Sequence, residues 1–137
     1  MVDRVLVDTS AWIDFFRKKD LTLHKLVATL LRETRAVGTG IVALELLRGS
    51  KTTKEFAYVS ELFETIEVVN ESASTYTDAG RMGYELARRG HTLSVVDLLI
   101  AQLAIDHQLQ LLSLDKHFAI IAEAFPLKLL TSDSAFR

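Results

Sequence analysis

Arg4-Val5-Leu6-Val7-Asp8-Thr9-Ser10-Ala11-Trp12-Ile13-Asp14-Phe15-Phe16-Arg17 is the stretch that decides the fold. Residues 4–7 form a short β-branched and leucine run that stops at Asp8, the pattern of a buried strand. Residues 10–17 then carry Trp12, Ile13, Phe15 and Phe16 on one apolar helical surface. A strand that passes at once into a helix is half of a parallel βαβ unit, and the rest of the chain repeats the theme. Apolar residues at 23, 26, 27, 30 and 31 give the three-and-four spacing of an amphipathic helix over 21–34. A second strand is predicted at 36–39, helices at 41–48 and 54–64 separated near Gly49-Ser50, and a third strand at 66–69. A helix over 71–89 closes on Gly90, a residue suited to a left-handed cap. The most apolar helix spans 94–108, followed by a strand at 109–113, a helix at 116–124 and a last strand at 127–130 after Pro126. Strands without polar alternation, each separated by helix, require a parallel sheet covered on both faces. The expectation is a three-layer α/β/α fold with a central parallel sheet of about five strands.

The 137 residues suit one core and not two, so one domain over 1–137 is expected, with no linker and no internal repeat. Cysteine is absent, which removes disulfides and thiolate metal sites and fits a reducing compartment. Met1 to Asp8 carries an acid where a secretory leader needs a basic start and a long apolar run. Asp97, Gln102 and Glu45 break the longest apolar stretches well short of the roughly 20 residues that span a bilayer. A cytoplasmic protein without a membrane segment is therefore expected. The net charge of −2 argues against a chain that grips nucleic acid through its overall field, leaving only local basic sets such as Arg17-Lys18-Lys19, Arg48/Lys51/Lys54 and Arg88-Arg89.

In open α/β sheets ligands bind beyond the carboxyl ends of the strands, so acids placed there are read first. Asp8 ends the first predicted strand and Asp115 follows the fourth. Asp97 lies in the first turn of the 94–108 helix, and Glu45 interrupts Ile41-Val42-Ala43-Leu44-Glu45-Leu46-Leu47. Each has a structural explanation taken singly. Asp8 and Asp115 are possible caps, Ser94-Val95-Val96-Asp97 has the outline of a capping box, and Glu45 could face solvent. Together they are explained by one divalent ion, because clustered carboxylates lose more hydration than they regain unless a cation joins them. Oxygen donors and histidines without ligand spacing favour Mg²⁺ or Mn²⁺ over zinc.

Val7-Asp8-Thr9-Ser10-Ala11-Trp12, Ile41-Val42-Ala43-Leu44-Glu45-Leu46, Leu93-Ser94-Val95-Val96-Asp97-Leu98-Leu99-Ile100-Ala101 and Leu112-Ser113-Leu114-Asp115-Lys116-His117-Phe118 together resemble PIN-domain ribonucleases. More narrowly they resemble VapC-type toxins of toxin–antitoxin pairs, over nearly the whole chain and in the family's order. The resemblance implies that Asp8, Glu45, Asp97 and Asp115 are metal-binding and catalytic acids and that Ser10 steadies the first of them. It implies a Mg²⁺- or Mn²⁺-dependent endoribonuclease acting on structured RNA, inhibited by an antitoxin and assembled as a homodimer. One departure stands out. Many members carry a further acid two residues after the fourth, and here that place is His117.

Arg48, Lys51, Lys116 and His117 flank these positions as candidate RNA contacts, although solvated surface is the preferred reading for each. Gly38-Thr39-Gly40-Ile41-Val42-Ala43 matches a dinucleotide fingerprint but follows the second strand and lacks its acid partner. Asp106 falls on the far side of its helix from Asp97. Trp12, Phe15, Phe16 and Phe63 are read as core, or, where exposed, as a groove for an amphipathic helix such as an antitoxin's. Two other classes compete: a catalytically silent PIN-like module that binds protein or RNA, and a phosphotransfer domain with Asp8 as acceptor. The second lacks the lysine and the second acid that such domains place at strand ends.

Overall fold

A computed structural model describes residues 3–131, so the leader reading at Met1 and Val2 lies outside the described residues. Five strands, β1 (Val5–Val7), β2 (Ala36–Thr39), β3 (Glu67–Val69), β4 (Gln110–Leu112) and β5 (Lys128–Leu129), form one sheet in the order β3-β2-β1-β4-β5. Every pairing is parallel. Val5, Leu6 and Val7 are completely buried, as a central strand covered on both faces requires. Strand order reverses between β1 and β4, so the crevice beyond their carboxyl ends is the switch point where α/β sheets place ligands.

Seven helices cover the described sheet: α1 (Thr9–Arg17), α2 (Leu21–Arg32), α3 (Gly40–Arg48), α4 (Thr53–Thr65), α5 (Thr75–Arg88), α6 (Val95–Asp106) and α7 (His117–Ala124). The architecture is the expected three-layer α/β fold. Side chains start the helices where local chemistry asks for it. Asp20 accepts from the amides of Thr22 and Leu23 at 2.9 and 3.2 Å, and Thr39, Thr52 and Ser94 cap α3, α4 and α6. Most of α6 is buried, with Ile100, Ala101, Leu103 and Ala104 at 0 % exposure, because it is apolar around most of its circumference. Among the described residues no helix is long and apolar enough to cross a membrane.

Several boundaries differ from the sequence reading for identifiable reasons. α2 stops at Arg32 and α6 at Asp106 because Thr34 and Gln108 turn left-handed, at φ 60° and 56°. The helix predicted from residue 71 begins at Thr75, since the Ser72 amide is taken by the Thr75 hydroxyl at 2.9 Å in a local turn. Gly90, at φ 92°, ends α5, while the amide of His91 reaches back to the Leu86 carbonyl at 2.9 Å.

Trp12 is fully buried, stacked on Phe16 at 6.0 Å and tilted against Phe63 at 6.0 Å. Its indole N–H has no partner among the described residues, so its place there comes from packing and not from polarity. Phe63 explains the glycine of the dinucleotide-like stretch. A Cβ on Gly38 would stand 2.6 Å from the Phe63 ring, whereas one on Gly40 would meet nothing within 4 Å. Gly38→Ala is therefore expected to cost about 1–3 kcal/mol through overpacking. Gly40→Ala, at the first turn of an exposed helix, is expected to be neutral or to stabilise by about 0.4–1 kcal/mol. Urea unfolding of the two variants checks both signs.

Candidate metal centre

Asp8 follows β1 as the last residue before α1. It occupies the cap position of α1, yet its carboxylate makes no capping bond to that helix. Only 5 % exposed, it accepts from the Ser10 hydroxyl at 2.9 Å and from the Ser113 hydroxyl at 2.7 Å, both on Oδ2. Among the described residues the hydrogen bonds to this carboxylate all fall on Oδ2. The two serines are themselves 3.2 Å apart, and each binds the loop after β4: Ser10 accepts from the Leu114 amide and Ser113 from the Asp115 amide, both at 2.9 Å. This hydroxyl pair ties the end of β1 to the end of β4 and fixes where Asp115 stands.

Asp97 enters from the first turn of α6, which Ser94 caps through the Asp97 amide at 3.1 Å. Its carboxyl is pushed above the ordinary carboxylate range, first by burial, then by the negative charge of Asp115 and, less, of Asp8, while Ser94 and His117 pull the other way. Three acids from β1, α6 and the loop after β4 thus share one electrostatic neighbourhood. Asp115 also accepts from the His117 amide at 2.9 Å, so its structural role at the start of α7 and its place in the cluster coexist. His117 turns inward: Nδ1 lies 3.0 Å from Asp115 Oδ1 and 3.8 Å from Asp97 Oδ2. One donor atom each from Asp97, Asp115 and His117 lie within 4.8 Å of one another, a set able to hold a metal ion.

Glu45 is not part of that group of three. It accepts from the Thr9 hydroxyl at 2.7 Å, one residue past Asp8, and lines a groove of about 660 Å³ on its other side. The groove runs between α1, α3 and α4 over Phe15, Phe16, Leu46 and Tyr58, with Arg17, Lys18, Lys51 and Lys54 among its walls. Trp12 stays in the core, so only part of the aromatic set borders this groove. Arg48 and Lys116 are exposed. Asp106 is remote in role as well as in chain: Thr75 and Gln102 donate to it at 2.7 and 2.8 Å, joining the start of α5 to the end of α6. Sequence reading passed over Thr9 and Ser113, and it counted His117 among the histidines without ligand spacing. A ligand set drawn from α6 and α7 has no sequence spacing to detect.

The PIN domain family matches residues 5–124, from the first residue of β1 to the last of α7. The chain belongs to the PIN-domain family. Within it, the chain is 32 % identical over 122 residues to ribonuclease VapC11 of Mycobacterium tuberculosis, covering 86 % of this chain and 91 % of that protein. It is therefore a VapC-family PIN protein of the toxin–antitoxin class. Solved structures share the fold. The VapBC2 structure from Rickettsia felis, bound to a DNA fragment from its promoter, superposes with a TM-score of 0.75 at 23 % identity, covering 92 % of this chain and 96 % of the other. A toxin–antitoxin complex from Klebsiella pneumoniae gives 0.67 at 22 %, covering 93 % and 97 %. VapC20 of Mycobacterium tuberculosis, described as a sarcin-ricin loop cleaving toxin, gives 0.68 at 18 %, covering 88 % and 95 %. At these identities the structures speak to the PIN fold alone.

The raised Asp97 carboxyl sets a sign for the stability of this PIN domain without metal. The folded protein holds that proton to higher pH than the unfolded chain, so stability is lost as pH rises from the ordinary aspartate value of 3.8 through the folded value, and the loss persists above it. Asp97→Asn is expected to raise the urea midpoint in chelator at pH 7 and to have little effect near pH 4. Paired unfolding curves at the two pH values check it.

Proposed function

We propose that this chain is a metal-dependent endoribonuclease that hydrolyses phosphodiester bonds of structured RNA, as the toxin of a toxin–antitoxin pair. The observation that carries the reading is the meeting of Asp8, Asp97 and Asp115, from three separate elements, at the sheet's switch point. The donor chemistry fits a dication. Asp8 Oδ1 takes no hydrogen bond among the described residues, and Asp97 and Asp115 face each other at a cost in charge repulsion that a cation would reverse. Asp8, Asp97 and Asp115 would hold Mg²⁺ or Mn²⁺, with Glu45 completing the acidic edge from the Thr9 side. A bound dication supplies charge against the phosphate and lowers the pKa of a water molecule.

The chain's own groups then have separate tasks. Ser10 and Ser113 clamp Asp8 Oδ2, so that its other oxygen keeps one direction. Lys116 beside Asp115, Arg48 on α3 with Glu45, and Lys51 in the loop after α3 would take flanking phosphates. No side-chain nucleophile is required, and the products expected of hydrolysis by water are a 5′-phosphate and a 3′-hydroxyl. VapC11's description as a ribonuclease and VapC20's as a sarcin-ricin loop cleaving toxin support RNA as the substrate. The toxin–antitoxin complex among the neighbours supports an antitoxin partner. The groove beside Glu45 suits that partner as an amphipathic helix, since Phe16 and Tyr58 offer apolar contact and Arg17, Lys18 and Lys54 offer positive charge. Homodimer assembly carries over from the same family resemblance.

Purified protein freed of any partner is expected to cut RNA with added Mg²⁺ or Mn²⁺ and to stop in excess chelator. Asp97→Asn is expected to lower the cleavage rate on the order of 10²–10³-fold while circular dichroism stays unchanged. Cutting that survives both chelator and the variant overturns the reading. A folded protein that never cuts, with or without metal, points instead to the silent binding module.

A further inference from the structure

His117 follows Asp115 by two residues, and it does not turn away from the cluster. Its backbone N–H donates to Asp115 Oδ1 at 2.9 Å, which fixes the first turn of α7 and brings the ring over the same carboxylate. Nδ1 then lies 3.0 Å from Asp115 Oδ1 and 3.8 Å from Asp97 Oδ2. Neighbouring ligands in an octahedral shell of radius about 2.1 Å sit roughly 3 Å apart, so Nδ1 and Asp115 Oδ1 already stand at ligand spacing, while Asp97 Oδ2, 3.8 Å from Nδ1, has to draw in.

We propose that His117 is a nitrogen ligand to the ion held by Asp97 and Asp115, and that it makes the centre select Mn²⁺ over Mg²⁺. The inference rests on the metal-dependent reading above and adds which atom completes the site and which ion that atom favours. Two effects act in the same direction. Imidazole in place of a carboxylate removes one negative charge, which weakens the electrostatic attraction on which Mg²⁺ depends. It also supplies a softer donor, which a first-row transition ion accepts and Mg²⁺, with its preference for oxygen and water, does not. The His117 side chain is 60 % exposed, so the ring can complete its approach without disturbing the core. The competing arrangement is an Nδ1–H donated to Asp115, in which the nitrogen is occupied and cannot ligate.

The test uses the purified full chain with Mn²⁺ or Mg²⁺ alone as the probe. Electron spin-echo modulation of bound Mn²⁺ is expected to show a ¹⁴N coupling that His117→Ala abolishes. By isothermal titration, His117→Ala is expected to weaken Mn²⁺ about tenfold or more and Mg²⁺ much less, and His117→Asp is expected to reverse the preference toward Mg²⁺. Mn²⁺ bound without nitrogen coupling, or equal losses for both ions in His117→Ala, overturns the proposal. Asp97→Asn separates the two levels. If that variant loses Mn²⁺ while the wild type binds it without nitrogen, the metal-dependent reading stands and only the role of His117 falls. If the wild type binds no Mn²⁺, or Asp97→Asn binds it unchanged, both fall together.

Discussion

The structure turns on a buried carboxylate at the end of its central strand. β1 has no exposed residue, and Asp8 continues it at 5 % exposure. An ion taken out of water there costs several kcal/mol unless its oxygens are bonded. Two hydroxyls meet part of that cost, and both belong to segments that must already be in place: Ser10 in the first turn of α1 and Ser113 just past β4. The arrangement therefore links three elements at the point where strand order reverses. Had Asp8 merely capped α1, its carboxylate would have turned back onto the helix amides. It does not, and the helix starts without that bond.

Asp97 extends the same logic. A helix N-terminus ordinarily favours a carboxylate, yet burial, Asp115 and Asp8 together outweigh that favourable setting and hold its proton more tightly. A fold selected only for stability would not gather three acids in this way. The strain is local, since the core beneath α6 is apolar and closely packed, and it is relieved by whatever positive charge the crevice takes up. His117 supplies some of it at 3.0 Å from Asp115 when protonated, and a dication would supply more.

Most of the fold was legible because its strands are too apolar to alternate and its helices carry clear apolar faces. The errors fall at ends that no glycine marks. Thr34 and Gln108 adopt a left-handed conformation that β-branched and long side chains seldom take, so tertiary packing and not propensity stops α2 and α6. The acids were legible because each is out of place in its surroundings. Their partners were not. Ser113 reaches Asp8 across 105 residues and Thr9 reaches Glu45 across 36, and neither hydroxyl differs in sequence context from an ordinary turn or helix residue. The place of His117 was hidden for a related reason: it stands beside Asp97 on α6 and Asp115 in the loop before α7, a neighbourhood that no spacing within one helix reveals.

Glu45 shows how the acidic edge joins two surfaces. Through Thr9, the residue after Asp8, it is tied to the end of β1, and it also lines the groove between α1, α3 and α4. Whatever fills that groove meets the acidic edge at Glu45, while His117, beside Asp97 and Asp115, is exposed. Arg17, Lys18, Lys51 and Lys54 line the groove together with Glu45 and Glu55, so an occupant carrying groups of both signs would match it. Because Thr9 and Asp8 are adjacent in the chain, a basic group that drew Glu45 away from Thr9 would act directly beside the most buried acid of the cluster.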